Sequence, residues 1–438
     1  MRWQPATRSP VRTTAAMTNI SSRLASSRCT GSTPTFDRTG VVTDSQLPAG
    51  NQIEELRVSD DVPVQALQLR SLVTDTATVS LSLELVDVPV PGPDEVVVRV
   101  AAAPINPSDL GLLLAGADLA KVTVGGTADR PVVTAPLPPA AARAAAARVG
   151  ESLPAGNEGA GTVVRAGSSE AAQQLLGKTV AVAGGGMYAQ YRLADAAVCL
   201  VLPDGVGAAA GASAFVNPMT VLGMVETMRA EGHSAIVHTA AASNLGQMLN
   251  RVCIEDGIPL VSIVRSAEQV RLLTGQGAEH VLDATTGTFM ADLTAALKAT
   301  SATIAFDAIG GGQLASRILT CMEAALSGDE PFSRYGSATH KQVYIYGGLD
   351  RSPTELTRGY GMAWGVSGWL LTPFLRKAGP ATFAAMRQRV AAGITTTFAT
   401  SYAGQLSLQA ALQPDAVAAY ARMATGSKYL ITPNGPAE

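Results

Sequence analysis

Cysteine is scarce. The four in 438 residues, Cys29, Cys199, Cys253 and Cys321, lie far apart and form no CxxC pair. Neither a disulfide framework nor a zinc finger follows from such spacing, and a reducing compartment suits it. Long apolar runs are missing too: the small-residue stretch 208–216 falls well short of the roughly 20 residues a bilayer span needs. There is no basic stripe interleaved with aromatics, and the net charge is −3, which argues against a nucleic-acid partner. No internal repeat is evident. Lysine is rare beside arginine while alanine abounds, a bias that suits a GC-rich coding sequence and a bacterial source.

What is present is an ordinary globular composition, 47% hydrophobic and 15% charged, in a chain long enough for two or three domains. Residues 1–62 differ from the rest. Arg2, Arg8, Arg12, Arg23 and Arg28 stand among serines and threonines with no acid before Asp37. That pattern reads as a targeting presequence or as an unstructured extension, and a start at Met17 is a third reading. Accordingly the compartment is the cytoplasm, or the mitochondrial matrix if the presequence is genuine.

From about Gln65 short Val- and Leu-rich segments at 81–86, 95–102, 161–166, 178–183 and 188–193 predict a β-rich domain. Residues 121–148 form an Ala/Pro-rich, partly helical insertion. After Val206 strand and helix alternate: strands at 234–239, 259–264, 280–283, 303–308 and 342–346, with helices at 245–256, 267–275, 289–299 and 313–325. Such βαβ repetition predicts a doubly wound parallel sheet, with ligands at the carboxyl ends of its strands. The expected division is 63–205, 206–372, and a segment 373–438 with a helix at 415–425 and a strand at 429–431.

The turn after the first of these strands reads HTAAASNLG at 238–246. Only Gly246 survives of a GxGxxG pattern, but the residues are small, Asn244 tolerates left-handed backbone, and Ser243, Asn244, Leu245 and Gly246 open a helix whose free N–H groups suit phosphate. The plainer alternative is a tight turn with no ligand. The second strand ends in Val264-Arg265-Ser266, where an NAD site would place an acid for the ribose. A guanidinium there pairs with a 2′-phosphate, hence NADPH, with Ser266 as a further donor; otherwise it is a solvated arginine. Gly310 and Gly347 follow later strands and line the same cleft, or simply make tight turns.

These landmarks, together with APINPSD at 103–109, GNEGAG at 156–161, YAQY at 188–191, VNPMT at 216–220, QGAEH at 276–280 and GSKY at 426–429, stand in an order that resembles the medium-chain dehydrogenase/reductase superfamily. Within it, the zinc-free quinone reductases and 2-enoyl thioester reductases are the most similar branches. The resemblance implies a GroES-like β-rich catalytic domain, to which the segment 373–438 returns, and a Rossmann cofactor domain, the class α/β. It implies a soluble, zinc-independent oxidoreductase that passes hydride from NADPH to a quinone or α,β-unsaturated carbonyl compound, a small-molecule substrate, with no membrane partner and a homodimer as the common assembly. Zinc enzymes of the superfamily carry cysteine and histidine where this chain has Asn106 and Asn157, and neutral amides are poor zinc ligands.

By the same resemblance Asn217 and Thr220, in the loop leading into the cofactor domain, and Lys428 contact the cofactor; a surface lysine is the plainer account of the last. Asn106 donates to a substrate carbonyl or holds a loop. Enoyl thioester reductases use a tyrosine soon after the NPSD motif; here LLLAGAD at 112–118 puts Asp118 at that place, and no tyrosine occurs between Gln65 and Met187. A 2-enoyl thioester reductase, and an NADPH-binding structural or regulatory protein with little turnover, are therefore the alternatives. Asp109, Tyr188, Tyr191 and His238 are expected to be structural.

Overall fold

The computed structural model describes residues 62–327, 333–426 and 428–437. The expected N-terminal extension lies outside them, except for Val62, which is buried against Ala66 and Val97. Alternating Val and Leu build two layers in the β-rich unit, antiparallel throughout except where Gly404–Leu406 runs parallel to Tyr429–Ile431. One runs Thr123–Gly126, Pro131–Pro136, Thr78–Asp87, Gln65–Val73, Ser152–Pro154. The other runs Leu200–Val201, Thr179–Ala183, Glu158–Ala166, Glu95–Pro104, Tyr429–Ile431, Gly404–Leu406, with Tyr191–Asp195 also paired to Glu95–Pro104. Leu69, Leu81, Val98, Val133 and Val163 pack between the layers. The insertion at 121–148 is half sheet and half helix: a hairpin extends the first layer, and Pro139–Ala144 follows as a helix.

The second unit holds six parallel strands in the spatial order His280–Asp283, Leu260–Val264, Ile236–Thr239, Ile304–Asp307, Lys341–Ile345, Trp364–Gly368. Numbered along the chain from Ile236, this is 3-2-1-4-5-6, the order of a dinucleotide-binding fold, whose switch point falls between Ile236–Thr239 and Ile304–Asp307. Both faces are covered. Helices Val216–Ala230, Asn244–Asp256 and Leu371–Ala392 share one core with Ile236 and Phe306; Phe289–Thr300 and Leu314–Ser327 share the other with Val237 and Ile318.

Two stretches differ from expectation. Asn217 and Thr220 lie in a helix, Val216–Ala230, rather than in a loop; Pro218 sits in its first turn, where a missing N–H costs nothing. Helical residues Leu371–Ala392, broken at Gly379-Pro380, pack on that helix, and the chain rejoins the β-rich unit at Gly404–Leu406. No described helix is long and apolar enough to cross a membrane.

Gly246 fixes how closely the phosphate-turn helix approaches its strand, since a Cβ there would lie 2.2 Å from the Ala241 carbonyl oxygen. Backbone cannot yield as a flexible side chain would. Gly246→Ala should therefore destabilise by about 1–3 kcal/mol, read as a lower urea midpoint, whereas Gly275→Ala, with open space around it, should not destabilise.

Candidate functional site

The switch point, where a doubly wound fold holds its ligand in a crevice, is built here from the ends of elements. Ala240, at φ 50, takes the left-handed turn after Ile236–Thr239; Asn244 instead is the first residue of the helix Asn244–Asp256. Alanine carries a modest strain in this region, so the sequence reasoning assigned the special conformation to the wrong residue. Ser243 Oγ accepts from the Gly246 N–H at 3.1 Å. The N–H groups of Asn244 and Leu245 have no partner among the described residues, and at a helix start these are the donors a phosphate uses. Leu245's side chain packs against the core.

Thr239↔Ile263 pairing places the tip of the second strand beside this turn. Arg265 is exposed there, with its guanidinium unpaired among the described residues. Its backbone N–H donates to Gln269 Oε1 at 3.0 Å, and Ser266 caps the next helix by accepting from the Gln269 N–H at 3.3 Å. Both serine hydroxyls thus serve as caps and keep an O–H to donate. Gln269 Nε2 reaches Thr425 Oγ1 at 3.0 Å, so the returning chain borders this end of the crevice.

On its floor, Thr239 Oγ1 donates to Asp307 Oδ1 at 2.7 Å, and Asp307 also accepts from Ile309 and Gly310 N–H at 2.9 and 3.1 Å. Gly310, at φ +80, and Gly347 let two loops meet: a Cβ on the first would lie 2.7 Å from the Gly347 carbonyl oxygen, and on the second 2.6 Å from that of Ala308. Close backbone approach requires both glycines. His238 is buried, its Nε2 2.8 Å from Tyr346 Oη; burial pushes its imidazolium down to about 3, so it is neutral.

At the other end the two units meet around Glu158, which is fully buried. Its Oε1 accepts from Asn106 Nδ2 at 2.8 Å, and its Oε2 from the N–H groups of Phe215 and Val216, at the start of Val216–Ala230, at 2.9 and 2.8 Å. Asn217 Nδ2 then donates to Asn244 Oδ1 at 2.8 Å, tying that helix to the phosphate turn. Thr400 Oγ1 lies 3.4 Å from the same oxygen. Thr220 donates its hydroxyl back to Val216 O at 2.5 Å, which satisfies it within the helix.

Asn106 is 1% exposed, and its Oδ1 is buried with no partner. The atom left without a partner is thus an acceptor, suited to a ligand N–H or O–H. Asn157 Nδ2 donates to Ser108 Oγ at 3.1 Å. Asp118 lies outside this cluster: it caps the short helical turn Leu119–Lys121 by accepting from the Ala120 N–H and pairs with Lys121 at 3.2 Å. These local partners account for its carboxylate, and nothing places it at the reacting end.

Lys428 is not a surface lysine. Half-buried, it donates to Ser213 Oγ at 2.7 Å, Ser213 Oγ lies 2.9 Å from Tyr402 Oη, and the ammonium stands 6.0 Å from the Tyr402 ring centre. Glu158, Ser213, Tyr402, Gln269 and Thr425 escaped the sequence reading. Glu158 alone had a signal there, inside the GNEGAG segment.

A family model described as the alcohol dehydrogenase GroES-like domain matches residues 92–204. The mitochondrial enoyl-[acyl-carrier-protein] reductase of Xenopus tropicalis is 30% identical over 199 residues, 43% of this chain and 48% of that enzyme, so the match spans about half the length of that relative. Among solved structures, a "putative NADPH:quinone reductase" from Mesorhizobium loti superposes with TM-score 0.64 at 27% identity, covering 85% of this chain and 99% of that one. The Etr1p/NADP/crotonyl-CoA complex superposes with TM-score 0.60 at 18% identity, covering 84% and 100%. By these matches the chain resembles the medium-chain dehydrogenase/reductase superfamily, and the likeness is to quinone and enoyl reductases.

Asp109 accepts from the N–H groups of Asn106 and Asn157, both at 2.8 Å. Burial, with the nearby Glu158 adding to it, nevertheless raises its carboxyl to about 7 against those two donors. Its folded value stands above its unfolded one, so the native state binds the extra proton between about pH 4 and 7. The stability it contributes is fully present below pH 4 and lost as pH rises through 7. Urea midpoints measured from pH 5 to 8 should fall, and Asp109→Asn should flatten that fall.

Proposed function

We propose that the protein is an NADPH-dependent reductase of quinones or α,β-unsaturated carbonyl compounds that works without a metal. The observation that carries this reading is the unpaired Arg265 beside the free N–H groups of Asn244 and Leu245 at the switch point. Those donors fit a dinucleotide's phosphates, and a cation in place of a carboxylate at the second strand tip fits a 2′-phosphate. When bound, the nicotinamide supplies the hydride. The chain's own residues bind and orient: Ser243, Asn244, Leu245 and Gly246 hold phosphate, and Arg265 with Ser266 takes the adenosine end. Gly310 and Gly347 shape the far wall, while Asn217 and Lys428 border the reacting end.

Among the described residues, no three His, Cys, Asp or Glu side chains gather as a metal site would require, and the Asn106 amide is spent on Glu158. Quinones suit this machinery because solvent can protonate their reduced oxygens. An enoyl thioester is the second reading, favoured by the 30% identity to the frog enzyme.

A panel of quinones, enones and enoyl thioesters with NADPH and NADH, followed by nicotinamide absorbance, tests this. NADPH should be consumed with at least one class; binding without turnover would leave a regulatory or structural role. Arg265→Ala should weaken NADPH by about 10-fold or more, for the loss of a charge-assisted contact, and leave NADH nearly unchanged. Equal weakening of both would remove the 2′-phosphate assignment.

A further inference from the structure

Reduction of an activated C=C bond needs a proton as well as a hydride, and the polar groups around Glu158 can be sorted by whether they have one to give. Glu158 accepts three N–H donors; Asp109, raised to about 7 by burial, can carry a proton, but it is buried and each of its oxygens already accepts a backbone N–H. Tyr188 is fully buried and donates to the Pro104 carbonyl at 3.0 Å. Asp118, at the place where related enoyl reductases carry a tyrosine, is committed to Ala120 and Lys121. What remains is a chain of three: Lys428 Nζ, Ser213 Oγ and Tyr402 Oη, linked at 2.7 and 2.9 Å.

We propose that Lys428 is the acid of the reaction, and that Ser213 and Tyr402 hold its ammonium in place and pass it a replacement proton. The proposal rests on the reductase reading given above. A bound dihydronicotinamide would give up its C4–H bond and become the oxidised nicotinamide; the hydride would bond to the β-carbon while the C=C π pair moves toward the carbonyl, leaving an enolate. An N–H bond of Lys428 then breaks, its electron pair stays on nitrogen, and the proton bonds to the α-carbon. Water returns one proton to the neutral amine through the two hydroxyls. Acceptor, hydride and proton sum to the saturated product.

The surroundings suit the role. Ser213 and Tyr402 face the ammonium from the segments on either side, Glu158 from its strand and Asp109 from the helix Pro107–Leu114. Burial lowers the ammonium to about 8, although Glu158 and Asp109 both pull the other way. At neutral pH the group is still charged, yet it releases a proton more readily than a solvated lysine, which is what a general acid needs. Tyr402 is pushed up by its own burial, so it stays a phenol and serves as a relay.

Two measurements test this. In the cofactor-free protein, pH-dependent acylation read by peptide mass spectrometry should give Lys428 a midpoint near 8; a midpoint near the ordinary lysine value of about 10.4 overturns the proposal. In turnover with an enone, Lys428→Arg keeps the charge but cannot release a proton, so it should be as slow as Lys428→Met. Both should lose about 100-fold or more and the fall in rate above pH 8, while NADPH affinity measured by fluorescence changes less than about 10-fold. Restoration of the rate by Lys428→Arg, or a loss of NADPH affinity that matches the loss of rate, overturns it and makes Lys428 a cofactor contact. Absence of turnover by the unmodified protein with every acceptor sinks the reductase reading and this proposal together, an outcome distinct from failure of the lysine alone.

Discussion

A carboxylate buried between two folding units sets the terms for everything around it. Glu158 is fully buried and has no salt-bridge partner among the described residues, and an uncompensated charge in that position costs several kcal/mol. Three N–H donors offset this, one from the β-rich unit and two from the start of the helix that opens the dinucleotide unit. Those two are among the donors every helix start leaves over, and its dipole favours the negative charge. Separating the units at this point would strand both sides.

The same junction explains why the reacting end is so polar in so apolar a chain. Glu158 orients Asn106, attracts Lys428 and helps to raise Asp109. It fixes the helix whose Asn217 then steadies Asn244 at the phosphate turn. The Glu158 junction and the turn at Asn244 are thus linked by a short run of hydrogen bonds through one helix terminus.

Much of the fold was legible because its signals are local. Strand and helix alternation after Val206 gave the parallel sheet, and the residues at 280–283 and 429–431 fall where the pattern put them. The helix Val216–Ala230 did not show itself, because it is buried nearly all round and lacks a polar stripe. Leu371–Ala392 was hidden by Gly379 and Pro380, which break it in two. At the site, the residues beside the glycine remnant could be read, but Lys428, Ser213 and Tyr402 come from distant parts of the chain. Only the tertiary fold brings them together. Asp118 misled because equivalence along the sequence does not determine where a side chain spends its hydrogen bonds.

The strand Tyr429–Ile431 lies against Glu95–Pro104, among the first segments of the β-rich unit to be made, and beside Gly404–Leu406. On the ribosome the unit that starts first is finished last, after the whole dinucleotide unit has emerged. Tyr191–Asp195 pairs early with Glu95–Arg99, but Ala103 and Pro104 wait for Ile431 and Leu430, a long-range closure of the kind that slows folding and invites aggregation. Helpers that shield nascent edges should matter more to the yield of this protein than to proteins whose sheets close in chain order.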